Sequence, residues 1–202
     1  MSLKCRVYIA TSRDIGNKCI EWSSKNMPAG YCLVDSVESA DIIISVLYDK
    51  ILNPTQVKNK KCFNFHPGIL PEYRGTGIFS WILINKEKKA GVTLHLIDKG
   101  IDTGDIIEIR EFLISKDDTA YSLFLRSEQI IYKMFQDWFC DILNGKFTAV
   151  PQNLNDGFLY LRKDLQRAKN LTRFIRAFHF PDKESAYYFN DSGKKTYIRF
   201  KE

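Results

Sequence analysis

Apolar residues in the first half of the chain alternate between short runs rich in Val and Ile and longer stretches with helical spacing. Strands that alternate with helices are typical of a parallel sheet covered by helices. The run at 41–48 is apolar almost throughout, which predicts a central strand buried on both faces. We therefore predict an α/β fold with a mostly parallel sheet and flanking helices. The other predicted strands are 5–11, 31–34, 62–66, 91–97 and 105–114, and the predicted helices are 15–27, 78–86 and 118–143.

The last quarter of the chain follows a different pattern. The segment 144–157 is rich in Asn and Pro, which predicts a linker. Apolar residues between 165 and 175 then recur at helical spacing, and two β-rich runs flank turn residues at 190–193, which predicts a hairpin. The predicted hairpin strands are 186–189 and 195–200. We expect a main domain at 1–150 and a small C-terminal extension, consisting of a helix and a β-hairpin, at 151–202.

The net charge of +6 resides in the segment 161–202, which has eleven Lys and Arg residues against five acidic ones. This bias favours an anionic partner, either a nucleotide diphosphate or a nucleic-acid backbone, although a solvated basic face is the alternative. The five cysteines are scattered and give neither a disulfide framework nor a zinc site. The N-terminus has no apolar leader and no run is long enough to span a bilayer, so we expect a cytoplasmic protein without a membrane partner.

Three polar residues are candidates for chemistry at one edge of the predicted sheet. Asn64 and His66 lie two positions apart at the end of a strand, so their side chains share a face. Asp102 follows the next strand at the same edge, where ligands bind in open α/β sheets. A carboxylate would orient the imidazole, and Asn64 and His66 would donate hydrogen bonds to the oxyanion of an acyl transfer. The alternative is that all three are turn residues with satisfied hydrogen bonds.

Other polar residues and motifs give weaker indications of a functional site. Asp98, Asp102 and Asp105 crowd one loop, but no His ligand accompanies them, so we predict no metal. His95 lies in the middle of a strand, and we interpret it as structural. The chain has neither a dinucleotide fingerprint nor a phosphate-binding GxxxxGK[ST] motif, which gives no indication of nicotinamide, flavin or ATP chemistry.

Two segments resemble one known family. Residues 64–75 read NFHPGILPEYRG and residues 91–105 read GVTLHLIDKGIDTGD, and both resemble the 10-formyltetrahydrofolate-dependent formyltransferases, most closely the nucleotide-sugar N-formyltransferases. The resemblance covers 41–143 and implies a Rossmann-like catalytic domain at 1–150. It also implies an enzyme, a folate-dependent N-formyltransferase that uses 10-formyltetrahydrofolate as co-substrate. The catalytic residues that it implies are Asn64, His66 and Asp102.

The resemblance further implies where the two substrates bind. Two loops would hold the folate, through Lys50, Ile51, Leu52, Ile97, Asp98, Gly100 and Ile101. The acceptor would meet the glycine-rich loop and the aromatic residues near the C-terminus, namely Tyr73, Arg74, Gly75, Thr76, Phe180 and Tyr187.

The C-terminal sequence bears on which amine accepts the formyl group. Only about sixty residues follow the long predicted helix, fewer than the tRNA-binding barrel of methionyl-tRNA formyltransferases needs. The aromatic and basic segment 174–198 is similar to the ending of sugar N-formyltransferases. We therefore expect an amino deoxy sugar linked to dTDP or GDP, N-formylated for surface polysaccharides such as O-antigen.

Several alternatives stay open. The alternative acceptors are glycinamide ribonucleotide and methionyl-tRNA. A non-catalytic nucleic-acid-binding module would use the basic C-terminal segment, and a metal-dependent hydrolase would use Asp98, Asp102 and Asp105. We do not expect a nucleic-acid partner. A homodimer formed through the long helix or the hairpin is a further hypothesis.

Overall fold

The computed structural model describes residues 5–52, 54–167, 175–181, 183–189 and 194–197. Six strands form its main sheet: β1 (Cys5–Thr11), β2 (Tyr31–Leu33), β3 (Ile42–Val46), β4 (Lys61–His66), β6 (Lys89–Leu96) and β7 (Ile106–Leu113). Two smaller pairs are β5 (Tyr73–Gly75) with β8 (Phe158–Tyr160), and β9 (Tyr187–Phe189) with β10 (Lys195–Tyr197). The α-helices are α1 (Asp14–Asn26), α2 (Pro54–Val57), α3 (Ile78–Asn85) and α4 (Ala120–Leu143), and 3-10 helices lie at Leu154–Asp156 and Arg162–Arg167.

The strand order of the main sheet is β2-β1-β3-β4-β6-β7. Neighbouring strands among β2, β1, β3 and β4 are parallel. The strand β6 is antiparallel to both of its neighbours, β4 and β7. Every residue of β3 is buried, which agrees with the nearly continuous apolar run that predicts a central strand. The predicted α/β fold with a mostly parallel sheet is confirmed.

The helix α4 is the main support of the sheet. Its N-terminus is closed by a capping box, in which Thr119 and Ser122 exchange side-chain and backbone hydrogen bonds. Its buried face packs on the main sheet, where Phe135 meets Phe65 of β4 and Trp22 of α1. Among the described helices, none has the length and apolar character that crossing a lipid bilayer requires.

One short strand differs from the expectation of a loop, and its partner is not predicted from the sequence. The strand β5 lies within the segment 69–77, and it pairs in parallel with β8, which begins just after the predicted linker. Strands of three residues have too few positions to show alternation, so sequence patterns do not reveal them. Both strands of the predicted hairpin are present over 187–189 and 195–197, whereas its turn at 190–193 lies outside the described residues.

The described part of the C-terminal segment packs on α3 and α4. Ser80 of α3 donates a hydrogen bond to the carbonyl of Ala177 over 2.6 Å, and the ring of Phe180 contacts the rings of Tyr121 and Phe124. Within the predicted helix at 165–175, the chain forms a 3-10 helix that ends at Arg167, and residues 168–174 lie outside the described part. Residues 175–177 are α-helical.

Candidate active site

The structure brings Asn64, His66 and Asp102 together at the carboxyl end of β4. The Nδ1 atom of His66 lies 3.4 Å from Oδ2 of Asp102, and the side-chain amide of Asn64 donates to Oδ1 over 3.4 Å. The two β4 residues share a face because they are two positions apart. Contrary to the prediction from the sequence, the strand β6 does not end at the same edge as β4, because the two strands are antiparallel and Ile97 bonds to Cys62 near the start of β4. The loop at 97–105 instead brings Asp102 back to the site.

The strand β5 holds the carboxylate of Asp102 in place. The backbone N–H of Gly75 donates to Oδ2 over 2.9 Å. Gly75 has a φ of 100°, and a Cβ there would lie 2.1 Å from the carbonyl oxygen of Tyr160, so this position requires glycine. Asp102 itself has a left-handed backbone with a φ of 53°, a conformation that a non-glycine residue keeps only when its surroundings fix it.

The hydrogen bonds of His66 determine its tautomer. Its Nε2 lies 2.7 Å from the carbonyl oxygen of Tyr73, and a carbonyl only accepts, so Nε2 carries a hydrogen. Burial lowers the pKa of His66 below its ordinary value and His95 acts in the same direction, whereas Asp102 opposes them. The neutral imidazole therefore directs the lone pair of Nδ1 toward Asp102. The single N–H of this neutral ring is bonded to Tyr73, which differs from the expected donation to an oxyanion.

His95, interpreted from sequence as structural, also lies in this site. It stands opposite Asn64 in the antiparallel pairing of β4 and β6. Its Nδ1 donates to the carbonyl of Leu96 over 2.7 Å, since a carbonyl only accepts, and its Nε2 accepts from the amide nitrogen of Asn64 over 3.1 Å, since that nitrogen only donates. The same Nε2 is 3.6 Å from Oδ1 of Asp102. Only the pairing register places His95 here, and a single sequence does not state that register.

The carboxylate of Asp102 is ionised although only 14% of its side chain is exposed. Burial alone would raise its pKa, but the positive charge that His66 acquires in acid and the hydrogen bond from the N–H of Gly75 outweigh burial and hold the pKa well below the ordinary range. An ionised carboxylate beside a neutral imidazole lone pair can hold one proton between them. This arrangement presents two proton acceptors to one position in the site.

The lowered pKa of His66 predicts how stability depends on pH. Below the ordinary value of 6.5, the unfolded chain binds a proton at His66 that the folded protein does not, so acid favours unfolding. We expect the free energy of unfolding to fall between about pH 7 and pH 5, with His66 contributing at most about 1.4 kcal/mol per pH unit. The variant His66→Asn should show a smaller slope in urea unfolding. Equal slopes for the two proteins would contradict a lowered pKa.

The two predicted folate loops pack against the same apolar cluster. Leu52 and Ile97 belong to one apolar cluster with Tyr48, whereas Ile51 and Ile101 project into solvent with 84% and 44% of their surface exposed. Exposed aliphatic side chains can pack against the flat face of an aromatic ring system. Among the other predicted folate residues, Lys50 is exposed.

Asp98 stabilises the second of the predicted folate loops through hydrogen bonds inside the loop. Its Oδ1 accepts the N–H of Gly100 over 3.0 Å and the hydroxyl of Thr103 over 2.6 Å. Within the described residues, no group of three His, Cys, Asp or Glu side chains is placed to hold a metal ion. The carboxylates of Asp98, Asp102 and Asp105 therefore do not form the metal cluster considered from the sequence.

The predicted acceptor residues fall into different surroundings. Gly75 contacts the site through its hydrogen bond to Asp102, whereas Tyr73 is buried and its ring stacks on that of Tyr160. The guanidinium of Arg74 donates to the carbonyl of Gly157, and its Nε is buried with no hydrogen-bond partner among the described residues. The remaining predicted residues contact other parts of the protein: Thr76 contacts Arg162, Phe180 contacts α4, and Tyr187 contacts Lys195 and Tyr197.

Solved structures give the first comparison. An N-formyltransferase from Helicobacter canadensis, crystallised with folinic acid and dTDP-3-aminofucose, has a TM-score of 0.76 and 25% identity, over 87% of this chain and 81% of that one. A sugar N-formyltransferase from a Shewanella species has a TM-score of 0.82 and covers 97% of both chains. At 23% identity, the second likeness shows the fold alone.

Sequence relatives give the second comparison. A GDP-perosamine N-formyltransferase from Brucella melitensis is 37% identical over 153 residues, which are 70% of this chain and 58% of that protein. A methionyl-tRNA formyltransferase from Alkaliphilus oremlandii is 36% identical over 129 residues, 62% of this chain. Because those residues are 42% of that relative, the chain spans about half the length of these two proteins. The family model for formyl transferases matches residues 26–137, more than half of the sequence, and the chain therefore belongs to the formyl transferase family.

Proposed function

We propose that this protein transfers a formyl group from 10-formyltetrahydrofolate to the amino group of a nucleotide-linked amino sugar. The observation that carries the proposal is the convergence of Asn64, His66 and Asp102, with an ionised carboxylate 3.4 Å from the Nδ1 atom of a buried imidazole. The exposed Ile51 and Ile101 beside this edge provide a surface for the folate.

The reaction joins the amine nitrogen to the formyl carbon, breaks the bond from that carbon to the folate nitrogen, and moves one proton from the amine to the folate. The folate supplies the formyl carbon and the leaving nitrogen. The protein must hold the proton between these two events. Oδ2 of Asp102 and Nδ1 of His66 provide that place, because one is an ionised oxygen and the other a lone pair.

Asn64 supplies the donor for the developing oxyanion. One of its amide hydrogens is bonded to His95 over 3.1 Å, which fixes the plane of the amide. The other points to Asp102 over 3.4 Å, a long contact that a substrate oxygen can replace. Donors that are positioned before the reaction stabilise the tetrahedral stage without reorganisation. His66 acts through the proton rather than as an oxyanion donor, since its N–H is bonded to the carbonyl of Tyr73.

The nucleotide-linked sugar is supported by the relatives and by charge. The relative that covers 70% of this chain is a GDP-perosamine N-formyltransferase, and the Helicobacter canadensis enzyme was crystallised with dTDP-3-aminofucose. The C-terminal segment 161–202 carries the excess positive charge that attracts a diphosphate. Arg74, whose Nε has no partner among the described residues, adds a cation next to Gly75 at the site.

The test is to measure the tetrahydrofolate released from 10-formyltetrahydrofolate with a panel of acceptors. We expect turnover with a dTDP- or GDP-linked amino sugar, and none with glycinamide ribonucleotide or charged initiator tRNA. The same sugar without its amino group is the matched control, since it fills the site but has no nucleophile. Turnover with tRNA alone would replace the proposed acceptor, and no turnover together with no folate binding would reject the proposed function.

A further inference from the structure

A residue from the segment after α4 fixes the loop that carries Asp102. The side-chain amide of Gln152 donates to the backbone carbonyl of Asp102 over 3.1 Å and to that of Gly104 over 2.6 Å. Gln152 follows Asp102 by 50 positions. Both hydrogens of its Nε2 are thus used on a single loop.

The orientation of this amide is determined by chemistry. Carbonyl oxygens only accept hydrogen bonds, so Nε2 and not Oε1 must face Asp102 and Gly104. The Oε1 atom is buried and has no partner among the described residues. The backbone beside Gln152 is fixed as well, because Val150 and Ile106 exchange two hydrogen bonds of 2.8 Å. The backbone that carries the Gln152 side chain is therefore held in place.

Asp102 needs such an anchor because its own backbone is left-handed, with a φ of 53°. A conformation of this kind costs on the order of 1–3 kcal/mol and persists only when neighbouring contacts hold it. Gly75 fixes the carboxylate of Asp102, and Gln152 fixes the carbonyl at the other end of the same residue. Together these contacts define both the backbone and the side chain of Asp102.

We propose that Gln152 is a positioning residue for formyl transfer, which keeps the carboxylate of Asp102 against His66 by holding the loop at 97–105. The proposal rests on the function proposed above. It assigns a role in the reaction to the segment after α4, which contributes no side chain to the trio itself.

The variant Gln152→Met tests this role, because methionine keeps the length of the side chain and removes its donors. The matched control is Gln129→Met, the same change at an exposed position of α4. We expect Gln152→Met to lose about a hundredfold in kcat/KM, the cost of a displacement of about 1 Å at the reacting groups. The control should retain the wild-type rate.

A pH profile separates positioning from a general loss of stability. The groups that face His66 are Asp102 from the loop, His95 from β6 and the carbonyl of Tyr73 from β5. Only the first and the last raise the pKa of His66, so moving Asp102 away should lower that pKa further. The acid limb of kcat/KM should therefore shift to lower pH in Gln152→Met. An unshifted limb with a wild-type rate would overturn the proposal.

Hydrogen exchange gives a readout that does not depend on turnover. The backbone amides of Ile97, Gly100 and Ile106 are all hydrogen-bonded at or beside the loop. We expect faster exchange at these amides in Gln152→Met and unchanged exchange in Gln129→Met. If the wild-type protein transfers no formyl group, the proposed function fails, whereas the exchange still decides whether Gln152 holds the loop. Equal exchange in both variants would refute that role.

Discussion

The variant Asp102→Asn should transfer formyl groups about a thousandfold more slowly than the wild-type protein, since it loses the group that accepts the amine proton. An asparagine amide at this position would also direct its hydrogens toward another hydrogen-bond donor. One oxygen must still accept the N–H of Gly75, so the new NH₂ group would face the amide of Asn64, 3.4 Å away in the wild-type protein. Two donors would then oppose each other.

The loss should appear in kcat rather than in folding. Initial rates of tetrahydrofolate release measure the first, and the midpoint of urea unfolding measures the second. Asp117→Asn is the matched control, because the side chain of Asp117 is exposed. It lies two positions before Thr119, which caps the N-terminus of α4. If Asp102→Asn turned over at the rate of Asp117→Asn, Asp102 would have no place in the mechanism.

The variant Asn64→Asp should lose about a hundred- to a thousandfold in kcat, the usual cost of removing one oxyanion donor. Aspartate has nearly the shape of asparagine, so packing is preserved. An ionised side chain offers no hydrogen to the oxyanion or to Nε2 of His95. It would also place a second negative charge beside Oδ1 of Asp102, which raises the pKa of one of the two carboxylates.

The same change at Asn17→Asp, on the exposed face of α1, controls for the added charge. Single-turnover rates at saturating folate and sugar would isolate the chemical step from binding. The repulsion between two carboxylates predicts that the residual activity of Asn64→Asp rises at lower pH. A variant that keeps full kcat would show that Asn64 positions no oxyanion.

Periodicity predicts the main sheet and the long helix well, because both depend on apolar burial. The continuous run of β3 and the recurring apolar residues of α4 are determined by which face is buried, and burial is visible in the order of residues. The convergence of Asn64 and Asp102 does not follow from the rule that the carboxyl ends of parallel strands meet at one edge, because β6 runs antiparallel to β4 and ends beside its start. It depends on the loop at 97–105, which brings Asp102 back toward His66.

The features that the sequence does not reveal depend on pairings between distant segments. His95 enters the site through the register of β6 on β4, and Gly75 through a strand of three residues paired 85 positions away. Gln152 reaches Asp102 from a segment without any periodic pattern. Such contacts are specified by tertiary packing, and residue type alone gives only a weak indication of them.

The pairing of β5 with β8 has a consequence for how the protein is made. All six strands of the main sheet lie before residue 114, so the ribosome synthesises every strand of this sheet before it synthesises α4. The N–H that holds Asp102 belongs to Gly75, whose register partner is Tyr160. We expect a nascent chain to complete its sheet first and its reactive carboxylate only after residue 160 has left the exit tunnel. The arrangement of Asp102 is thus completed only after the sheet that supports it.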